Sequence, residues 1–178
     1  MELVCETCRL RAMVPSDAAS LARHANDRDI WLNLRDRFPH PYTEADAEAY
    51  IAHIATKEPT TSFAIVVDDA AVGGVGLMLS HDIERVSAEI GYWLGRAYWG
   101  RGIITDAVRA ATEYAFTTLD LRRVFAVPFA HNLASQRVLE KIGYVREGAM
   151  RRSAIKDGRL LDQFLYAAYD DRWPARER

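Results

Sequence analysis

Cysteine is scarce in this chain of 178 residues: there are two, Cys5 and Cys8, in LVCETCRLRAM. A C-x-x-C pair can be redox-active or can supply half of a zinc site. No second cysteine pair exists to complete such a site, and His24, His40, His53, His81 and His131 show no ligand spacing, so no metal is expected. The pair sits in an extended run rather than at a helix start, where thiolates are activated, so two ordinary thiols in or just before a first strand are expected. So little cysteine suits a reducing compartment, and a cytoplasmic location follows. A basic surplus is also missing: the formal net charge is −2, which argues against a nucleic-acid partner. No apolar run reaches the roughly 18 residues of a membrane span. The N-terminus has no basic segment leading into an apolar one, so no secretory leader is expected. Repeats, low-complexity segments and linkers are absent as well.

What remains is an ordinary globular balance, 49% hydrophobic and 27% charged, in a length that suits one domain over residues 1–178. CRLRAMV (residues 8–14) alternates like a strand, and Ser16 stands where it could cap a following helix with Ala18, Leu21, Ala22 and Ala25 inward. Thr43 and Asp46 form a capping-box pair ahead of an apolar stripe of Ala47, Tyr50, Ile51 and Ile54. SFAIVVDDAAVGGVGLMLS spells strand, turn at residues 68–71, strand. Gly73, Gly74 and Gly76 within its second strand point to a bulge or a close backbone approach. Residues 87–95 form another strand, residues 103–118 a helix with Val108, Ala111, Ala115 and Leu119 on one face, and residues 122–130 a short strand interrupted near Pro128. LASQRVLEKIGY is a helix stopped by Gly143, with Leu133, Val138, Leu139 and Ile142 inward. Two long strands follow, joined by a Lys156-Asp157-Gly158 turn. Mixed strands and helices in this order predict an α+β (α/β layer) fold built on a mixed sheet.

The stretch YWGRGIITDAV (residues 98–108) leaves a strand through Gly100-Arg101-Gly102 and enters a helix. The first N–H groups of a helix lack intrahelical partners and carry the positive end of its dipole, so a pyrophosphate fits there, and glycines let its oxygens approach the backbone. Thr105 could add a hydroxyl. A Walker loop is absent, and the Rossmann fingerprint fails because position 105 is Thr and no downstream ribose acid stands out. A Gly-x-Gly alone is as well explained by a structural turn.

Its neighbours carry more. EIGYWLGRAYWGRGIITDAV followed by HNLASQRVLEKIGY resembles the GNAT superfamily of N-acetyltransferases. The first segment is similar to its acyl-CoA pyrophosphate loop (Gln/Arg-x-x-Gly-x-Gly/Ala), and the second to its Asn-x-x-Ala/Ser-x-x-x-Tyr/Leu-Glu-Lys-x-Gly-Phe/Tyr segment. CRLRAM and FPHPYTEADAEAYI are similar to the branch holding the Rim-type ribosomal-protein N-terminal acetyltransferases. The resemblance spans residues 8–169. Trp99 and Ile104 depart from the loop pattern, but main-chain donors do not depend on side-chain identity.

This resemblance implies a mostly antiparallel sheet of six to seven strands, splayed at the acyl-CoA site, with helices on both faces. It implies acetyl-CoA as co-substrate and an amine acceptor, acetylated directly within a ternary complex. Tyr92, Trp93 and Leu94 would offer main chain to pantetheine. Gly100, Arg101, Gly102, Ile103, Ile104 and Thr105 would hold the pyrophosphate, with Arg137 also able to reach the phosphates. Asn132 could bond pantetheine or cap the helix after it, and the resemblance favours pantetheine.

Transfer to an amine needs a base, a stabilised thioester oxygen and a partner for the departing thiolate. Glu89 lies on the strand where the family often places a base, and a half-buried carboxylate is a stronger base than a solvated one; a structural ion pair would account for it equally. Glu84 and Asp162 are weaker candidates, and Ala154 stands where certain Rim-type enzymes carry a basic Glu. Leu139 occupies the position where many members have a proton-donating Tyr. Ser135 falls where some Rim-type enzymes place a Ser near the sulfur, although a Ser in a first helical turn also serves as a cap. Tyr144 reads as a core aromatic. Trp31, Arg35, Phe38 and Tyr42 are expected to wall the acceptor pocket, with Arg151 opposite. The acceptor would be a protein N-terminal α-amine or a small amine. A homodimer, common among relatives, is left open, as are another acyl group and a non-catalytic acyl-CoA-binding module.

Overall fold

The computed structural model describes residues 2–173. Thirteen elements follow one another: β1 (Glu2–Val4), β2 (Arg9–Arg11), α1 (Ala18–Ala25), α2 (Arg28–Trp31), α3 (Glu44–Ala55), β3 (Ser62–Val67), β4 (Ala70–Leu79), β5 (Ser87–Leu94), α4 (Ile103–Thr117), β6 (Arg123–Ala126), α5 (Leu133–Lys141), β7 (Val145–Lys156) and β8 (Arg159–Tyr169). The strands form one open sheet in the order β1-β2-β3-β4-β5-β6-β8-β7. Every neighbouring pair is antiparallel except β5–β6. That one parallel join is made possible by α4, which carries the chain back across the sheet.

The eighth strand, beyond the six to seven expected, is β1. The first extended run is split: Cys5 and Cys8 flank the turn between β1 and β2, closed by the Cys5 N–H donating to the Cys8 carbonyl at 3.1 Å, and both thiols are buried. The pair is too short for a strand signal of its own. Ser16 does not cap α1. A 3₁₀ turn intervenes, and Asp17 accepts from the Val14 N–H (2.9 Å) while holding the Arg11 guanidinium at 2.7 and 2.8 Å. Burial pushes the Asp17 carboxyl up, but the Arg11 and Val14 bonds outweigh it and hold it below the usual carboxylate range. The Thr43–Asp46 capping box forms, with the Asp46 N–H donating to Thr43 Oγ1 (3.2 Å) and the Thr43 N–H to the Asp46 carboxylate (2.8 Å).

Side chains of β3 divide by parity. Phe63, Ile65 and Val67 join the core under α4 and α5, while Ala64 and Val66 join the smaller core under α1 and α3. A strand covered on both faces is apolar throughout, which is why SFAIVV shows no alternation. Full burial of Phe63 or Ile65 contributes about 1.5–3 kcal/mol each. On α4, Val108, Ala111 and Ala115 are fully buried, so a stripe of small residues lets the helix lie close to the sheet. The α3 stripe is narrower than its sequence suggests, since Ala47 and Ile51 are buried but Tyr50 is exposed. On α5, Leu139 and Ile142 are buried, but Leu133, expected inward, is exposed at the first turn.

Candidate active site

The site begins where the sheet opens. Parallel pairing of β5 with β6 runs from Ser87↔Arg123 to Glu89↔Phe125 and stops, while pairing with β4 continues to Gly73↔Leu94. The β5 edge from residue 90 to 94 is therefore left without a strand partner, a row of main-chain groups available for pairing. Gly73 and Gly74 allow β4 to come this close: a Cβ on Gly73 would lie 2.5 Å from the Trp93 carbonyl oxygen. A bulge between Ile65 and Val66 lies opposite Gly73, so both readings of these glycines hold at once.

Beyond Leu94 the chain turns through Gly100 (φ +74°) and Gly102 (φ +80°), left-handed conformations that glycine adopts without strain. Trp99 anchors the turn by donating its indole N–H to the Leu94 carbonyl at 2.7 Å. The first helical bond of α4 is Asp106 N–H to the Gly102 carbonyl, 3.1 Å, and no side chain caps the helix. The N–H groups of Ile103, Ile104 and Thr105 precede that bond and have no intrahelical acceptor. Ile103 is buried and Ile104 is partly buried against the core, while both also line the groove. The space above Gly100 and Gly102 is open. Arg101 lies over the Tyr98 ring, 5.4 Å from its centroid. This chain therefore fits an acyl-CoA: an open β-edge for pantetheine, uncapped helix donors for pyrophosphate, and Arg101 and Arg137 on the lining.

A continuous groove of about 1980 Å³ joins these features to the acceptor side. Glu89 sits at the apex where β5 and β6 part, its side chain 18% exposed and held by the Arg35 guanidinium. Arg35, Phe38 and Tyr42 line the groove. Phe38 packs on Tyr42 (centroids 4.7 Å) and Trp93 (5.6 Å), so three aromatics form one wall. Burial, then Asp46 and Tyr50, push the Tyr42 phenol up to about 12. Trp31 and Arg151 do not line the groove. Trp31 stacks on His40 (5.5 Å) with the Lys156 ammonium 3.8 Å from its ring centroid, and Arg151 lies exposed on edge strand β7. The final hairpin's basic group in the groove is Lys156, buried and paired with Asp36 at 2.8 Å. A neighbouring pair, Arg28 and Asp157 at 2.6 Å, also ties α2 to the hairpin turn. Neither contact has a sequence signal, because each joins residues more than a hundred positions apart.

On the opposite wall, Asn132 caps α5: its Oδ1 accepts the Ser135 N–H at 3.1 Å, which leaves its amide nitrogen outside that bond. Ser135 lines the groove with its hydroxyl 2.8 Å from the Tyr92 hydroxyl. Tyr92 was expected to contribute main chain alone, and this side-chain contact across 43 residues had no local signature. Leu139 is fully buried, and Tyr144 is a core aromatic whose hydroxyl meets Thr112 at 2.8 Å. Glu84 is exposed in a 3₁₀ turn, Asp162 accepts the Arg152 N–H at 2.7 Å, and neither lines the groove. Neither Cys5 nor Cys8 lines the groove. Among the described residues, no cluster of three His, Cys, Asp or Glu could hold a metal ion, and no helix is long and apolar enough to cross a membrane.

The open β-edge leads into the uncapped helix start, and Glu89 lies where the two parallel strands part. The acetyltransferase (GNAT) domain profile matches residues 8–145, and the chain belongs to that family, whose domain is an acetyl-CoA-dependent N-acyltransferase. It is 27% identical over 157 residues to the spermidine N(1)-acetyltransferase of Vibrio cholerae, covering 86% of this chain and 87% of that one. It is 29% identical over 109 residues to the ribosomal-protein-serine acetyltransferase of Escherichia coli, covering 61% of this chain and 55% of that one. Its fold matches RimJ of Mycobacterium smegmatis, solved with CoA-disulfide, at a TM-score of 0.86 and 24% identity, over 98% of this chain and 88% of that one.

Proposed function

We propose that this N-acetyltransferase acts on a protein N-terminal α-amine, with Glu89 as base and Ser135 as partner of the departing sulfur. The observation that carries this reading is the groove. One groove of about 1980 Å³ runs from residues 98–105 past the free β5 edge and Glu89 to Arg35, Phe38 and Tyr42, so an acceptor can reach Glu89 from the side opposite the glycine loop. The likeness to the E. coli ribosomal-protein-serine acetyltransferase supports it.

When bound, acetyl-CoA supplies an activated thioester. The chain's residues do the rest. The β5 edge and the donors of residues 103–105 fix the cofactor's two halves. Phe38, Tyr42 and Trp93 shield the reacting centre from water. Glu89 lies 54 positions from Arg35 in sequence but in contact with it, so an incoming ammonium competes with Arg35 for the carboxylate. Once displaced onto the acceptor, Glu89 takes the proton that the amine must lose to become a nucleophile. Direct attack needs only proximity, which the apex position provides.

A second reading, a small polyamine acceptor, is favoured by the likeness to a spermidine acetyltransferase and by Glu58, a further carboxylate lining the same groove. Mass spectrometry of products from a panel of N-terminal peptides and small amines separates the two. Acetylated peptide N-termini support the first reading. Turnover of a polyamine with no acetylated peptide refutes it.

A further inference from the structure

The family segment on α5 places Leu139 where a proton-donating Tyr is usual, and Leu139 is fully buried. The groove wall nevertheless holds a phenol, supplied from a different element. Tyr92 comes from the free half of β5 and meets Ser135, in the first turn of α5, through two contacts: its hydroxyl is 2.8 Å from Ser135 Oγ and 3.4 Å from the Ser135 carbonyl oxygen. These two contacts permit two proton arrangements. In one, Ser135 donates to Tyr92 and Tyr92 donates to the Ser135 carbonyl. In the other, Tyr92 donates to Ser135 Oγ, and the serine proton is released towards the groove. A serine hydroxyl carries one proton and two lone pairs, so it can accept from Tyr92 and donate outward at the same time. A hydrogen bond to a developing thiolate is charge-assisted and stronger than one between two neutral hydroxyls, so anionic sulfur in the groove selects the second arrangement.

We propose that Tyr92 is a positioning residue that aims the Ser135 hydroxyl proton at the departing sulfur of CoA. This rests on the acetyl-transfer reading of the groove given above. As the acceptor nitrogen bonds to the acyl carbon, its proton passing to Glu89, the C–S bond breaks and its electron pair stays on sulfur; Ser135 keeps its own proton and hydrogen-bonds the thiolate, and solvent later supplies the proton of the free thiol. Tyr92 changes no bond order. Its part is to leave Ser135 with a single useful donor direction. Burial pushes its phenol above the ordinary value, with the Ser135 bond only partly offsetting this, so it stays a neutral donor throughout the working range. Asn132 completes the placement by binding the Ser135 N–H at 3.1 Å, which fixes the backbone from which the hydroxyl projects.

The test is calorimetric binding of CoA and of desulfo-CoA at mildly alkaline pH, where an alkyl thiol is partly ionised. Four proteins are compared: wild type, Tyr92→Phe, Ser135→Ala and the double variant. Phenylalanine keeps every carbon contact of the ring, and thermal melting verifies the fold. Wild type should prefer CoA over desulfo-CoA. Ser135→Ala should lose about tenfold of that preference and Tyr92→Phe about fivefold, with desulfo-CoA affinity unchanged in both. In the Ser135→Ala background, Tyr92→Phe should have no further effect, since it acts only through Ser135. Three results overturn the assignment: Tyr92→Phe keeps the wild-type preference, weakens both probes equally, or costs as much without Ser135 as with it. A wild type that binds neither probe refutes the acetyl-CoA reading itself, which is a different failure from a wild type that prefers CoA while Tyr92→Phe does too.

Discussion

Replacing Gly73 with alanine tests whether glycine stands in β4 because β5 passes too close for a side chain. A Cβ at Gly73 would meet the Trp93 carbonyl oxygen at 2.5 Å and the Leu94 Cα at 3.1 Å, both backbone atoms that cannot swing aside. Relief requires β4 and β5 to move apart where the sheet begins to open. Overpacking of this kind costs about 1–3 kcal/mol, and for a domain of this length each kcal/mol lowers the melting temperature by about 2–4 °C. Gly73→Ala should therefore melt about 4–8 °C below wild type, taking ~2 kcal/mol as the cost. Gly76, three positions along the same strand, is the control. A Cβ there meets nothing nearer than Ser62 Oγ at 3.5 Å, an ordinary contact. Gly76→Ala should hold or slightly raise the melting temperature, because alanine narrows the unfolded ensemble by about 0.4–1 kcal/mol. Differential scanning calorimetry on the pair decides. Equal melting temperatures, or a greater loss at position 76, would refute the close-approach argument.

Three further outcomes follow from the same geometry. Glu89→Gln should lower kcat by about a hundredfold while leaving CoA affinity within about twofold, since a general base contributes at least that much to rate and Glu89 lies off the phosphate loop; stopped-flow turnover with calorimetry checks it, and an unchanged kcat removes Glu89 from the mechanism. Thr43→Ala should destabilise the fold by about 1 kcal/mol in urea denaturation by losing the α3 cap. Burial, and then the Arg23 charge, hold His24 below its usual 6.5. Its contribution to stability is therefore complete above the unfolded value, falls as pH drops through 6.5 towards the lowered folded value, and is gone below it. Chemical denaturation across that window should show stability rising with pH, with a shallower slope in His24→Gln.

The sequence made the fold legible wherever the signal was local. The capping box at Thr43 and Asp46, the Asp157-Gly158 turn with both φ angles positive, and the Gly143 stop (φ +97°) each lie within a few residues. The glycine turn and the uncapped start of α4 were legible for the same reason, since they belong to consecutive residues. Misplacements arose where a distant partner decides. Ser16 does not cap α1 because a 3₁₀ turn precedes the helix, where Arg11 on β2 and the Val14 N–H hold the Asp17 carboxylate. Leu133 is exposed because α5 meets the core only from its second turn onward, at Leu139 and Ile142. Of the residues expected to surround an acceptor, Arg35, Phe38 and Tyr42 line the groove, while Trp31 is engaged by Lys156 and Arg151 is exposed on the edge strand β7. The Tyr92–Ser135 and Lys156–Asp36 contacts span 43 and 120 positions, distances over which periodicity carries no information.

On the reading proposed above, main-chain groups, not the side chains that depart from the family pattern, hold the cofactor. A titration of isotope-labelled protein with CoA, followed through backbone amide resonances, tests it residue by residue. The largest shifts should fall on residues 102–105 at the start of α4 and on residues 90–94 along the free edge of β5. Saturable CoA binding that leaves both sets of amides unmoved would contradict it.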